Sequence, residues 1–144
     1  MKVLVQRCDK ACVKVDNKIV GQIGKGMMIL VGFTQTDTSE NIDYLVDKVL
    51  NLRIFDDESG VMNKSILDVG GSILSVSQFT LYADTKKGRR PSYINALNGE
   101  QAIILYNEFN QKLQQKVSVE TGIFGAEMKV ELINDGPITI MLEK

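Results

Sequence analysis

The sequence predicts a single α+β domain over residues 1–144, with mostly antiparallel sheet packed against two main helices. Short β-favouring runs crowd both ends of the chain, an unbroken apolar run covers Met27 to Phe33, and two longer stretches repeat their apolar residues at helical spacing. A chain of 144 residues can bury a substantial core, and 44% hydrophobic with 24% charged residues suits one globular unit without linkers, repeats or low-complexity tracts.

Val3-Leu4-Val5-Gln6-Arg7 and Cys12-Val13-Lys14-Val15 favour strands, and Asp16-Asn17-Lys18 supplies a turn into Ile19-Val20, so an antiparallel start is expected. Met27 to Phe33 has the pattern of a central strand covered on both faces. From Thr38 to about Asn51, Ile42, Leu45, Val46, Val49 and Leu50 recur with helical period, and Thr38 or Ser39 can serve as N-cap. Arg53-Ile54-Phe55 reads as a short strand and Asp56 to Gly60 as its turn. The stretch from there to Gly70-Gly71 reads as irregular, and Ser72 to Val76 as a core strand. A second helix is expected from Glu100 to about Lys116, where Asn98 and Gln101 resemble a capping box and Ala102, Leu105, Tyr106, Phe109 and Leu113 form one stripe. Met128 to Ile133 and Ile138 to Leu142 then read as two strands joined by a turn at Gly136-Pro137.

Composition removes whole classes of mechanism. With no histidine, a Ser-His or Cys-His dyad, a His-ligated metal and an imidazole poised near neutral pH are all excluded. Cys8 and Cys12 are the only cysteines and read as buried free thiols, because no signal pattern or long apolar span points to a secretory or membrane context. A cytoplasmic address is the default expectation. The net charge of -1 excludes a uniformly basic nucleic-acid binder, yet Lys86-Lys87-Gly88-Arg89-Arg90 places four cations in five residues, enough to hold phosphates locally.

Two polar motifs stand where strands end. Ser77-Gln78-Phe79-Thr80-Leu81 follows the apolar run Ser72 to Val76, and Asn134-Asp135-Gly136-Pro137-Ile138-Thr139 contains one of only two prolines. The pair resembles the two signatures of the D-aminoacyl-tRNA deacylases. The resemblance extends in order through Gln6-Arg7, Arg53-Ile54-Phe55, Gly70-Gly71, Lys86 to Ser92 and Thr121-Gly122-Ile123-Phe124, and so covers nearly the whole chain. It departs at Tyr82 and Gly125, where alanine is common in that family.

What the resemblance implies is hydrolysis of the ester joining a D-amino acid to the terminal adenosine of tRNA. It further implies a homodimer with its sites at the subunit interface, no metal and no organic cofactor, and no DNA or membrane partner. Gly136 and Pro137 would form a cis peptide reaching into the partner's pocket, so that rigid main-chain oxygens exclude L side chains, with Arg7 beside them. Glycine has no Cβ to clash and is expected to pass this filter. The main-chain N–H groups of Phe79 and Thr80 are the candidate oxyanion donors, with Thr80 as alternative nucleophile and Ser77 and Gln78 positioning adenosine or the carbonyl. Met27 and Phe124 are candidate pocket walls, and Lys86, Lys87, Arg89 and Arg90 candidate tRNA phosphate contacts. Two other readings compete: a non-catalytic module binding the tRNA 3′ end, and an editing domain acting on L-seryl-tRNA like that of archaeal threonyl-tRNA synthetases.

Overall fold

Strand pairing in the computed structural model, which describes residues 1–144, is organised around one long strand at the N-terminus. β1 spans Lys2–Val15, β2 Lys18–Ile23 and β3 Gly26–Gly32. They are followed by α1 (Ser39–Asn51), β4 (Phe55–Asp56), β5 (Met62–Lys64) and α2 (Ile66–Val69). β6 (Ser72–Ser77) leads into a 3-10 turn at Phe79–Tyr82, and α3 (Gly99–Gln114), β7 (Ser118–Thr121) and β8 (Lys129–Glu143) complete the chain. β1 pairs with β3 through Lys2–Cys8 and with β2 through Ala11–Val15, while β8 runs antiparallel along it from Lys2 to Lys14. No helix is long and apolar enough to cross a membrane.

The fold is α+β with mostly antiparallel pairing, as expected, and only β3 with β6, and β6 with β7, run parallel. Three details differ from the sequence reading. The two N-terminal runs form one strand, and a register shift between Cys8 and Lys10 lets it turn different faces inward along its length. The two C-terminal runs are also one strand, so Gly136-Pro137 bends β8 and does not turn the chain back. The segment read as irregular contains β5 and the single turn α2, capped by Ser65, which accepts from the Asp68 N–H.

Two apolar clusters lie on opposite faces of the sheet. Val3, Val5, Ile29, Val31 and Ile73 meet Ile42, Leu45 and Val49 of α1 and Tyr106, Phe109 and Leu113 of α3. Cys8, Ala11, Val13, Ile23, Met28, Leu74 and Val76 form the second cluster, closed because the sheet curls until Gly21 of β2 lies against β7. A side chain at Gly21 would come within 2.7 Å of the Thr121 carbonyl oxygen. Burial pushes the Cys8 thiol up to about 11. Cys12 is only half-buried, with its sulfur 3.8 Å from Glu131 Oε2. Both helices start as their sequences suggest: the Thr38 N–H donates to Asn41 Oδ1, and Asn98 Oδ1 accepts from the Gln101 N–H.

Candidate active site

The parallel pair β3 and β6 ends at Val31 and Ser77, which are register partners. There the Gln78 N–H donates to the Val31 carbonyl at 2.7 Å and the chain tightens into the 3-10 turn. The first N–H groups of such a turn point forward without intrahelical partners, and those of Phe79 and Thr80 are bonded to nothing within the fold. Gln78 Nε2 donates to Thr80 Oγ1 at 2.5 Å, so the threonine hydroxyl is engaged as an acceptor.

Val31, Ser77, Gln78 and Phe79 border a cavity of about 640 Å³. Ser77, Gln78 and Phe79 form one side, Phe33 and Leu97 the apolar floor, and Phe124 a further wall braced by a tilted ring contact with Tyr106 at 5.8 Å. No carboxylate, lysine or arginine lines it. Gly32 is required at the rim, because a Cβ there would sit 2.8 Å from the Gln78 carbonyl oxygen.

The Gly136-Pro137 peptide is cis, and both residues are exposed and lie outside this cavity. Residues 135–138 have no register partner on β1. The bend is held by side chains instead. Asn134 Nδ2 donates to the Arg7 carbonyl at 2.8 Å and the Ile138 carbonyl at 3.0 Å, and Gln6 Nε2 donates to Asn134 Oδ1 and Thr139 Oγ1. Gly136 has φ +116°, a conformation that suits glycine.

Arg7 is buried behind the bend and grips it indirectly. Its Nη1 donates to the Ile54 carbonyl at 2.7 Å, and its Nε lies 2.8 Å from Asp135 Oδ2 as a close ion pair without an aligned hydrogen bond. Arg7 thus lies beside the Gly-Pro step as expected and anchors Asp135, while Asn134 holds the main chain.

The family profile described as D-Tyr-tRNA(Tyr) deacylase matches residues 4–143. The chain belongs to this deacylase family. It is 58% identical to a D-aminoacyl-tRNA deacylase of Bacillus velezensis, over 99% of this chain and 98% of that one. It is 55% identical to a D-aminoacyl-tRNA deacylase of Clostridium botulinum strain Langeland, over 99% and 97%. Among solved structures it superposes on a c-Myc DNA unwinding element binding protein with TM-score 0.95 at 42% identity, covering 100% of this chain and 99% of that one. A probable eukaryotic D-amino acid tRNA deacylase shares the fold, with TM-score 0.84 at 21% identity over 98% and 97%.

Of the residues singled out in this deacylase family member's sequence, Ser77, Gln78, Phe79 and Phe124 border the cavity, and Thr80 follows directly in the same turn. Met27 does not border it. It is fully buried in the helix-side cluster near the start of β3, at the opposite end of the strand from the cavity. Lys86, Lys87, Arg89 and Arg90 are exposed on a loop closed by the Asp84 and Ser92 pair. Sequence reasoning missed Tyr93 and Leu97, which line the cavity from an irregular segment where no periodicity marks them. It also missed Asn134, whose place in an Asn-Asp-Gly run reads as a turn signal.

Proposed function

We propose that the chain hydrolyses the ester bond of D-aminoacyl-tRNA, releasing the free D-amino acid and tRNA. Family membership carries the enzyme class, a hydrolase acting in translation quality control. The observation that supports the chemistry is the pair of unbonded Phe79 and Thr80 N–H groups beside a cavity free of charged side chains. An aminoacyl ester is already activated, so two preorganised donors suffice. Water adds to the carbonyl carbon, the developing oxyanion accepts from the two N–H groups, and the bond to the ribose oxygen breaks as that oxygen takes up a proton. The neighbouring 2′-hydroxyl of the terminal adenosine assists the water. Ser77 and Gln78 position the adenosine or the carbonyl, and Thr80 acts through its main chain.

Selectivity in this reading comes from a second copy of the chain. Gly136 and Pro137 are exposed, held at a side-chain-braced bend and separate from the cavity of their own chain, which suits a homodimer in which each bend enters the other subunit's cavity. Rejection has to be steric, because D and L residues carry identical groups and attraction to a pocket discriminates weakly. Glycyl-tRNA passes such a filter. Lys86, Lys87, Arg89 and Arg90 contact acceptor-stem phosphates.

The test is deacylation of matched D-, L- and glycyl-tRNA at equal enzyme with chelator present, scored by half-life. Rapid loss of D-aminoacyl and glycyl esters with L-esters spared is expected. Binding without turnover would favour the non-catalytic module, and selective loss of L-seryl-tRNA the synthetase-type editing domain.

A further inference from the structure

Two large aromatic rings stand uncovered at the cavity mouth: Phe79 is 56% exposed and Tyr93 42%. Their centroids are 5.0 Å apart with planes at 73°, an edge-to-face contact that leaves ring faces open. Tyr93 is not free to drift. The three carbonyls that follow it are all held from the loop after β3: Gln35 Nε2 donates to Ile94 O at 2.9 Å and Ala96 O at 3.2 Å, and Thr34 Oγ1 donates to Asn95 O at 2.6 Å. The Leu97 N–H donates to the Phe33 carbonyl at 2.9 Å, and Ser92, just before Tyr93, is paired with Asp84. The cationic run Lys86 to Arg90 projects from the chain between the two rings. Exposed aromatic faces beside a cationic loop are the combination that binds single-stranded nucleic acid, the rings stacking bases and the cations holding phosphates.

We propose that Phe79 and Tyr93 form a stacking platform for an unpaired nucleobase, that of the nucleotide preceding the acylated one. The inference rests on the D-aminoacyl-tRNA reading above. An ester whose carbonyl meets the Phe79 and Thr80 N–H groups leaves its terminal adenosine inside the cavity, and the strand must then pass the mouth, where the rings stand, to reach the cationic loop. The clamp from Thr34 and Gln35 holds Tyr93 in place before substrate arrives, so less ordering remains to be done on binding.

Single-turnover hydrolysis by the wild type, Tyr93→Leu and Tyr93→Trp tests this. Three substrates are compared: D-tyrosyl-tRNA, the same tRNA with an abasic penultimate nucleotide, and 3′-O-D-tyrosyl-adenosine. The half-saturating concentration of Tyr93→Leu should rise by about tenfold more for intact tRNA than for the adenosine ester, with Tyr93→Trp restoring it. The abasic substrate should erase the difference between wild type and Tyr93→Leu. Equal losses on all three substrates would overturn the platform and leave Tyr93 as a contact to the terminal nucleotide, to a second subunit or to its own segment. A wild type that hydrolyses D-tyrosyl-tRNA without this pattern sinks the platform alone, whereas one that hydrolyses none sinks the deacylase reading and the platform together.

Discussion

Replacing Phe79 with proline deletes a main-chain N–H that the fold does not use. That group has no partner within the chain, and Phe79 is the first residue of its turn, where proline is tolerated. Gln78, which precedes it, has φ -147° and ψ 86°, outside the α region that a following proline disfavours. The Gln78 N–H to Val31 bond is untouched. Stability should therefore change little, while loss of one oxyanion donor lowers the rate on the order of 10²–10³-fold, or about 3–4 kcal/mol of transition-state stabilisation. Phe79→Leu is the control, since it removes the ring and keeps the N–H. Single-turnover rates at saturating D-aminoacyl-tRNA, with melting temperatures alongside, separate the two. If Phe79→Pro and Phe79→Leu hydrolyse equally fast, main-chain oxyanion stabilisation at this residue is refuted.

Thr80→Ala should keep most of its activity, losing only the acceptor for Gln78 Nε2 and about 1 kcal/mol of stability, whereas an ester lacking the 2′-hydroxyl should react slowly; the reverse pattern in a rate comparison would make Thr80 the nucleophile. Neutralising Lys86, Lys87, Arg89 and Arg90 to alanine should weaken tRNA binding and flatten its salt dependence by roughly 0.7–0.9 in log-log slope per lost phosphate contact, with D/L preference unchanged; a changed preference in the deacylation assay would contradict the assignment. Asn134→Ala frees the Arg7 and Ile138 carbonyls and should cost about 1–3 kcal/mol in denaturant unfolding, together with leakage of L-esters into hydrolysis. The folded Cys8 thiol keeps its proton up to about 11 while the unfolded thiol loses it near 9.0, so stability should fall as pH rises through that window, and Cys8→Ala should remove that part of the slope in alkaline denaturation.

What could be read in advance was whatever the chain encodes locally. Met27 to Phe33 is apolar because β3 is covered on both faces, and the spacing of Ile42, Leu45 and Val49 places α1 because that face packs on the sheet. Non-local pairing left weaker traces. Nothing within Ser72 to Ser77 says that its partner runs parallel. Gly136 and Pro137 usually punctuate strands, yet here β8 continues past them, because Asn134, Gln6 and Thr139 replace the missing ladder bonds with side-chain ones. The site divides in the same way. Ser77, Gln78 and Thr80 stand out in sequence as polar residues ending an apolar strand, whereas Tyr93 and Leu97 are held at the cavity by contacts from Phe33, Thr34 and Gln35, distant in sequence. Met27 was misplaced because an apolar residue on a central strand carries no mark of which end a ligand approaches.

The uncharged lining of the cavity has a consequence for kinetics. An enzyme with a side-chain acid and base shows a bell-shaped dependence of rate on acidity, each limb belonging to one of its residues. On the proposed reading no carboxylate, imidazole or ammonium of the chain itself borders the cavity, so any inflection between mild acid and neutrality should belong to the substrate's own α-amino group. The same inflection should then persist through every active side-chain variant and move only when the amino acid on the ester is exchanged.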